Sequence, residues 1–494
     1  MKKATALILA LIFILSVPAA GFAGETLSGE QNGVIWTLTE DGTLTLTGEG
    51  QLDDYPSPWD SFSEMITKAN ISAGVKVGRY SFWSCENLEE INYDITYEEL
   101  FDFYVPYGCV LHIKNEGTAV LTKPGNSYAK EYGYKELRTL FGKINFSLET
   151  SYTVKPSASK PYAIGKLDRK TLDNMLNEIN FFRAVAHVDS VTDDETLNEL
   201  AQAATVTNAA IRQLTHYPDK PDGMSDSMYE LGRRGASSSN LAAGYSLLGS
   251  IQGYLEDSDS GNISRVGHRR WVLSPYLGKV GIGSTGSYSA LRVFDESNEK
   301  ADAQFTAWPG GNRIFPAEFF YPSYAMSVQV YGDCDFTENA SATITRLKDG
   351  KKVTVNKNTK GDGAYFNVDT GGYGSSRALI FRPPYDSFGF YSGKYNITVT
   401  GVTGRMGLPV KISYDLVFLP VDSTLGDVDG DNRVTASDAR TVLRCAVKLD
   451  YMPGTLNAAA DCDFDGQITA ADARLILRAA VNLEKPEKWY SDLL

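Results

Sequence analysis

Two short stretches near the end of the chain place aspartates at alternate positions. The first reads DVDGDNRVTASD from Asp427, and the second reads DCDFDGQITAAD from Asp461. Calcium is a hard cation that takes about six to eight oxygen ligands, and alternate residues of a tight loop direct their oxygens inward. The residue types and their spacing therefore predict two calcium ions, one in each loop.

Both loops offer ligands at the same positions. Carboxylates stand at positions 1, 3, 5 and 12, a backbone carbonyl fits at position 7, and position 9 can act through water. Position 6 needs a left-handed backbone, which Gly466 adopts freely and Asn432 adopts at a modest cost. The predicted ligands are Asp427, Asp429, Asp431, Arg433, Thr435 and Asp438 in the first loop, and Asp461, Asp463, Asp465, Gln467, Thr469 and Asp472 in the second.

A repeated helical segment follows each loop and must position it. Residues 436–449 and 470–483 are identical at nine of fourteen positions, with a period of 34. Position 12 is Asp instead of the Glu usual in EF-hands, and no helix is expected before either loop. Residues 424–486 therefore resemble a type I-like dockerin, a small all-α module that binds calcium and docks onto cohesin domains in cellulosome-type complexes.

The resemblance also implies a contact surface for the cohesin of a scaffold protein. In dockerins, loop positions 10 and 11 and the following helix face make this contact, and the near-duplication implies that either copy can do so. Solvation of an ordinary helix surface is the alternative for Arg444 and Arg478. The residues at these positions are Ala436, Ser437, Arg444 and Lys448 in the first copy, and Ala470, Ala471, Arg478 and Asn482 in the second.

Residues 166–298 combine two predicted helices with histidines. Apolar residues at helical spacing begin at Leu172, and an alanine-rich segment follows from Leu197. The N-x-x-R motif at Asn180, His216 after the second helix and Gly267-His268 resemble the CAP superfamily of cysteine-rich secretory, antigen 5 and pathogenesis-related proteins. The resemblance implies an α-β-α sandwich with a cleft where histidines and acids converge, in some members on a divalent metal.

The sequence leaves the chemistry of this cleft open. The first acid of the family is replaced by Ser239, and the second corresponds to Glu256 or Asp257. Together with either acid, His216 and His268 are candidate catalytic residues or zinc ligands. A second hypothesis is a groove that binds carbohydrate or another small ligand. A third is that both imidazoles are structural and have buried hydrogen bonds.

A serine hydrolase is an alternative hypothesis for the same region. Ser238 or Ser239 stands near His216 in the expected fold, but no orienting acid can be assigned. The other two histidines, His112 and His187, are expected on the surface.

The segments on either side are rich in strand patterns. Residues 25–140 open with alternating strands around Asp41-Gly42, a hairpin signal. They then resemble one unit of the leucine-rich repeat found in bacterial surface proteins, and residues 141–165 are expected to form a linker. The positions that match the repeat are Gly74, Val75, Gly78, Phe82, Cys85 and Leu88, with Cys85 expected in the core.

Residues 303–420 alternate in the manner of an antiparallel β-sandwich. The side chains of Ile412, Tyr414, Leu416 and Phe418 are predicted to share one face of a strand. Trp308 is expected in the hydrophobic core, with sugar stacking as the alternative. The predicted fold class is therefore multidomain α+β: a β-rich repeat-like region, a CAP sandwich, a β-sandwich and an all-α calcium module.

The first 23 residues have the pattern of a secretory signal peptide. Lys2 and Lys3 precede an apolar run, which ends in the small-residue exit Gly21-Phe22-Ala23. No later segment is apolar enough to span a membrane. The mature protein is expected to be extracellular, in a cell-surface-associated complex. Its net charge, −14 − 2 = −16 after removal of the two lysines, disfavours nucleic acid and anionic membranes as partners.

Two function classes follow from these patterns. In the first, which the sequence favours, the chain is a binding subunit of a cellulosome-type complex that presents the CAP domain as a recognition module. In the second, it is a hydrolase in the same complex, acting on polysaccharide or on peptide. Glycoside hydrolysis requires two facing carboxylates, and the sequence does not nominate a pair.

Overall fold

The computed structural model describes residues 26–95, 103–106, 109–113, 119–311, 313–404, 407–491 and 493–494. The chain divides into two compact units, Met1–Ala119 and Val120–Leu494. The predicted signal peptide, residues 1–23, lies outside the described residues. Within the described part of the chain, no helix has both the length and the apolar composition needed to cross a membrane.

The first unit is built on short strands. Its main sheet has the order β1-β2-β3-β5-β7-β8, while β4 pairs with β6. A 3-10 turn occupies Asp60–Met65. The strands are β1 (Leu27–Gln31), β2 (Val34–Leu38), β3 (Thr43–Gly48), β4 (Gly50–Gln51), β5 (Lys68–Ile71), β6 (Val75–Lys76), β7 (Glu90–Tyr93) and β8 (Val110–Ile113), and β9 (Ala119–Leu121) follows them.

Two turns begin this sheet. The hairpin predicted at Asp41-Gly42 is confirmed, because β2 and β3 pair antiparallel across it. The carboxylate of Asp41 accepts the Thr43 backbone N–H at 3.1 Å, and Gly42 takes a φ of +82°. The sequence analysis missed a second hairpin, between β1 and β2. Its Asn32-Gly33 turn has φ values of +51° and +83°, as a two-residue hairpin loop requires.

From β3 onward the strands run parallel. Leu44 pairs with Ala69, Ala69 with Ile91, and Ile91 with Leu111, at sequence separations of 69 − 44 = 25, 91 − 69 = 22 and 111 − 91 = 20. Of the positions that match the repeat, Val75, Phe82, Cys85 and Leu88 are buried. Burial raises the pKa of the Cys85 thiol to about 12, so this cysteine is a protonated core residue, as predicted.

The second unit starts with a helical region around a small sheet of order β12-β14-β15-β13. A separate pair of strands, β10 and β11, runs antiparallel. The helices are α1 (Tyr134–Phe141), α2 (Arg169–Val185), α3 (Glu195–Ile211), α4 (Asp226–Ala236), α5 (Leu247–Glu256) and α6 (Gly267–Val272), and the strands are β10 (Tyr152–Val154), β11 (Lys166–Leu167), β12 (Thr192–Asp193), β13 (Ser239–Ala243), β14 (Lys279–Ser284) and β15 (Tyr288–Arg292).

The alanine-rich helix predicted from Leu197 is confirmed as α3, and it lies very close to β14. A Cβ on Gly281 would stand 2.1 Å from the Leu197 carbonyl oxygen, and one on Gly283 would stand 2.4 Å from the Ala201 carbonyl carbon. Only glycine permits this approach of backbone to backbone. The small residues of α3 and the glycines of β14 therefore form one packing surface.

The boundary of the first unit differs from the predicted repeat region, which was drawn to residue 140. Asn126, which is fully buried, donates to Asp189 at 2.7 Å and accepts the backbone N–H groups of Asp302 and Ala303. These partners all belong to the second unit, so residues 120–140 are held there.

The segment expected to be a linker, residues 141–165, also has contacts of its own. The Asn145 backbone N–H donates to the Asn174 side chain at 2.8 Å, and the Asn174 amide donates back to the Asn145 carbonyl at 3.0 Å. Strand β10 lies within the segment and pairs with β11. Polar backbone groups of this stretch are thus satisfied by α2 and β11, which serine and proline content alone does not reveal.

Residues 303–420 form two sheets, of order β16-β18-β22-β21 and β17-β24-β23-β19-β20. The neighbours pair antiparallel except β17, which runs parallel to β24 and departs from the predicted all-antiparallel arrangement. The predicted buried face of β24 is confirmed. The strands are β16 (Phe305–Trp308), β17 (Ile314–Pro316), β18 (Met326–Val330), β19 (Asp335–Arg346), β20 (Lys352–Asn356), β21 (Tyr365–Asp369), β22 (Arg377–Arg382), β23 (Gly393–Thr403) and β24 (Pro409–Leu419).

Two buried arginines join the helical region to these sheets. Arg269 donates to the Ala325 carbonyl at 2.9 Å and to the Ser327 hydroxyl at 3.0 Å. Arg270 forms an ion pair with Asp369. Because a buried guanidinium must keep its donors satisfied, these bonds fix the two regions against each other.

The C-terminal segment is helical. Its helices are α7 (Ala436–Ala446), α8 (Asn457–Ala460), α9 (Ala470–Ala480) and α10 (Glu487–Ser491), with a 3-10 turn at Gly454–Leu456. The segment packs on the sheets of residues 303–420, because a Cβ on Gly393 would stand 2.6 Å from the Cβ of Phe464. Phe464 is buried in this contact.

Candidate functional site

Each predicted calcium loop is closed by its first aspartate. In the first loop, Asp427 accepts the backbone N–H of Gly430 at 2.8 Å and that of Asn432 at 2.9 Å. In the second loop, Asp461 accepts the N–H of Gly466 at 2.8 Å. Both first aspartates are buried. Asn432 and Gly466 have φ values of +65° and +77°, so the left-handed backbone predicted at position 6 is present in both loops.

The last aspartate of each loop also starts the following helix. The Asp438 carboxylate accepts the N–H and the hydroxyl of Thr435, both at 2.8 Å, while Thr435 caps α7. Asp472 and Thr469 form the same capping box at α9. The shorter Asp at position 12 is thereby tied to the helix N-terminus, which connects loop geometry to helix geometry.

The structure brings three carboxylates together in each loop. Asp427, Asp429 and Asp431 have oxygens within 4.8 Å of one another, and so do Asp461, Asp463 and Asp472. Asp438 and Asp465 lie outside these groups. Asp465 accepts the Gln467 backbone N–H at 2.8 Å, and Asp431 accepts that of Arg433 at the same distance.

The second loop carries the more perturbed carboxyl groups. Burial, followed by the neighbouring Asp472, raises the pKa of Asp461 to about 8. Burial also raises the pKa of Asp463 and of Asp472. Carboxylates that share a small volume repel one another, and a divalent cation at their centre removes this repulsion. Hard oxygen donors in a tight loop fit calcium better than softer metals.

The helix surfaces predicted to contact a cohesin are accessible. Both arginines on these surfaces form ion pairs within the chain. Arg444 pairs with Asp450, and Arg478 pairs with Glu484 at 3.0 Å. Of the other predicted contact residues, Ala471 is half-buried. The exposed ones are Ala436, Ser437, Lys448, Ala470 and Asn482.

The sequence analysis missed the apolar residues on these surfaces. They recur at the period of 34 and are between 45% and 69% exposed. Val442 and Ile476 are fully buried, so the exposed apolar residues lie away from the buried faces of the two helices. The sequence repeat could have revealed these residues, since the same apolar type occupies corresponding positions in both copies. These residues are Leu443, Val447 and Leu449 in the first copy, and Leu477, Val481 and Leu483 in the second.

The candidate residues of the CAP-like cleft separate into different environments. His216 bonds through Nδ1 to the Ala236 carbonyl at 2.8 Å, whereas His268 bonds through Nδ1 to Asp257 at 2.9 Å. Asp257 is buried, and Glu256 lines another cavity. Among the described residues, the two close groups of potential metal ligands are those of the calcium loops, and neither contains a histidine. The geometry gives no support to the hypothesis of a zinc site at His216 and His268.

Nor does the geometry assemble the serine hydrolase. The hydroxyl of Ser239 donates to the Gly235 carbonyl and that of Ser238 to the Arg234 carbonyl, each at 2.7 Å. Both serines therefore bond to the backbone of α4. The expectation that His187 lies on the surface is wrong. Its ring is buried, with Nδ1 2.9 Å from the Pro124 carbonyl oxygen.

The N-x-x-R motif performs a structural role. The Arg183 guanidinium is fully buried and donates to the carbonyl groups of Asp189, Val272, Ser274 and Leu277. Burial lowers its pKa to about 10. This one side chain therefore supplies hydrogen-bond donors to carbonyl groups in the turn after α2, at the end of α6 and in the segment that follows α6.

Comparison with known proteins identifies the C-terminal segment. Residues 425–479 match the family model described as "Dockerin type I domain". A search of curated proteins finds no match.

Among solved structures, a leucine-rich repeat protein from Eubacterium ventriosum is 24% identical over 14% of this chain and 21% of that protein, with a TM-score of 0.14. The chain thus spans about a fifth of the length of that protein, and a TM-score this low carries no conclusion about the fold. What the comparisons show is a type I dockerin domain at residues 425–479, a module that binds calcium, docks onto cohesins and is typical of extracellular cellulosome components.

Proposed function

We propose that this chain is a secreted subunit of a cellulosome-type complex. It docks onto a cohesin of a scaffold protein through its dockerin and holds two calcium ions, one in each aspartate loop. The duplicated loop geometry carries this proposal. The same contacts, from the first aspartate to position 6 and from the last aspartate to the helix cap, recur 34 residues apart.

The proposed ligands and contacts follow from this geometry. Each calcium ion is held by the aspartates of its loop, with the position 7 carbonyl and position 9 completing the shell. The cohesin contact consists of the predicted residues together with the exposed leucines and valines in and just after α7 and α9. Since both copies present this surface, either one can bind. The proposed domain order is a signal peptide, a repeat-like region, a CAP-like helical domain, a β-sandwich and the dockerin.

We propose that the region between the first unit and the dockerin binds a ligand instead of catalysing hydrolysis. The supporting observation is the separation of His216 from any acid in its hydrogen bonding, together with the backbone bonds of Ser238 and Ser239. Release of sugar or peptide products from cell-wall polymers by the full chain would contradict this part of the proposal.

The docking proposal is tested by co-elution. The full chain and a type I cohesin domain are mixed and separated by size-exclusion chromatography in calcium and in chelator. We expect a complex in calcium only. Separate elution from every cohesin of a type I panel in saturating calcium would overturn the docking proposal.

A further inference from the structure

A cleft of about 640 Å³ opens where the helical region, the β-sandwich and the dockerin meet. Residues of α5 form one wall, residues around Glu318 form another, and Thr455 and Leu456 of the dockerin close one end. Junctions of this kind are preferred places for ligand sites. Of the residues named for the cleft predicted from the sequence, Glu256 lines this one, whereas His216 and His268 are not among its described lining residues.

Aromatic rings dominate its walls. Phe319 packs edge-on against Phe182, with ring centroids 5.0 Å apart, and Tyr321 packs edge-on against Tyr324 at 5.3 Å. These rings are held by their neighbours. At the rim, Tyr245 is 57% exposed. Flat apolar surface of this kind is suited to stacking against a ring-shaped ligand.

Polar atoms stand among the rings with bonding capacity to spare. Glu318 uses Oε1 to accept the backbone N–H groups of Val421 and Asp422 at 2.6 and 2.7 Å, while its buried Oε2 has no partner among the described residues. Glu256 also lines the cleft. Burial raises the pKa of Glu318 to about 7, so this carboxyl can carry a proton and donate it to a hydroxyl. Burial also raises the pKa of Glu256.

Helix α5 presents two glycines on the face that lines the cleft. Gly249 and Gly253 stand on the same face as Gln252 and Glu256, and all four line the cleft. A Cβ on Gly253 would meet only the Tyr245 ring, at an ordinary 3.7 Å. Packing therefore does not require glycine at this position, although glycine inside a helix is less favourable than alanine. An open surface for a ligand explains its presence.

We infer that this cleft binds a neutral carbohydrate chain. A sugar ring presents apolar C–H faces that stack on aromatic rings, and hydroxyls that pair with Gln252 and the unpartnered oxygen of Glu318. No lysine or arginine lies among the described lining residues, which disfavours anionic ligands. A lipid tail would leave the carboxyl and amide groups unpaired.

Isothermal titration calorimetry of the full chain at pH 7 in calcium tests the inference. The probes are cellohexaose and xylohexaose as neutral sugars, hexagalacturonic acid as the anion and hexalysine as the cation. We expect binding of at least one neutral hexasaccharide and no binding of the charged probes. A preference for hexalysine or hexagalacturonic acid, or no binding of either neutral sugar, would overturn the inference.

Three variants locate the site. Gly253→Leu fills the open face, and Tyr245→Ala removes the rim ring; each should weaken neutral sugar binding at least about tenfold. Tyr217→Ala removes a tyrosine that is more exposed than Tyr245 and does not line the cleft, and this variant should bind as the parent does. A melting temperature for Gly253→Leu equal to or above that of the parent separates lost binding from lost folding. Unchanged binding in both cleft variants would place the ligand elsewhere. The test does not depend on docking, since the cohesin surface lies outside the cleft.

Discussion

A Cβ built on Gly466 would stand 2.6 Å from Nη1 of Arg346, so the second aspartate loop lies directly against strand β19. The same loop position is filled in the first copy by Asn432, which is exposed. Both residues have left-handed backbones and donate to the first aspartate of their loops. The two loops are therefore alike in their hydrogen bonding and different in their surroundings.

This difference predicts unequal responses to substitution at position 6. Gly466→Ala places a Cβ against Arg346 and forces a left-handed alanine, which alone costs about 1 kcal/mol. We expect unfolding free energy in calcium to fall by at least about that amount, and calcium binding at the second loop to weaken. The matched change Asn432→Gly should be neutral or slightly stabilising. Urea unfolding measures both, and equal stability of Gly466→Ala and the parent would show that Arg346 does not constrain the loop.

The buried carboxyl of Glu178 should make the unfolding free energy depend on pH. It is fully buried with Oε1 bonded to Gln252 at 2.9 Å, and its Oε2 lacks a partner among the described residues. Burial raises its pKa from 4.5 to about 8. The folded state thus binds a proton that the unfolded state releases above pH 4.5. The stabilisation that this bound proton provides is complete below pH 4.5 and is lost as pH rises towards 8. The unfolding free energy falls over this range by roughly 1.4 kcal/mol per pH unit.

The isosteric variant Glu178→Gln tests this linkage. The glutamine amide mimics the protonated carboxyl and cannot ionise. Unfolding free energy of the variant, followed between pH 5 and 8, should lack the share of the slope that Glu178 contributes. Parallel curves for variant and parent would mean that the carboxyl is ionised in the folded protein.

How far sequence determines these features varies with the range of the interactions. The loops were predictable, because each Asp contacts backbone within a few residues of itself, as Asp427 does with Asn432. The burial of the β24 face followed from local periodicity, and that of Cys85 followed from its match to the repeat unit and the usual burial of free cysteines. The bonding of Arg183 was not predictable, because its carbonyl partners lie as far away as Leu277. The cleft was likewise hidden, since its walls come from segments that meet only in the folded chain.

Removing the Arg183 clamp should destabilise the helical region. Arg183→Met keeps much of the volume and removes the guanidinium donor from four carbonyl groups, of which those of Val272, Ser274 and Leu277 are buried. An unsatisfied buried group costs about 1–3 kcal/mol. We expect a loss of at least about 3 kcal/mol in unfolding free energy. The control, Arg233→Met, breaks an exposed ion pair with Glu230 and should change it by less than about 1 kcal/mol. Similar small losses in both variants would refute the structural role of Arg183.

The duplicated apolar surface predicts redundant docking. Leu449→Asp and Leu483→Asp each place a charge on one copy of the exposed surface, away from the loops. We expect either single variant to retain cohesin binding, since the other copy can bind, and the double variant to lose it. Surface plasmon resonance against immobilised cohesin, with calcium content checked by calorimetry, separates contact from folding. Loss in one single variant alone would show that only that copy docks.

We propose that docking depends on calcium held in the two aspartate loops. The decisive experiment follows binding of the full chain to a type I cohesin while free calcium is removed with chelator and then restored, for the parent and for Asp427→Ala/Asp461→Ala. We expect the parent to bind, release and bind again, and the double variant not to bind at any calcium concentration. Binding that persists in chelator, or in the double variant, would refute calcium-dependent docking.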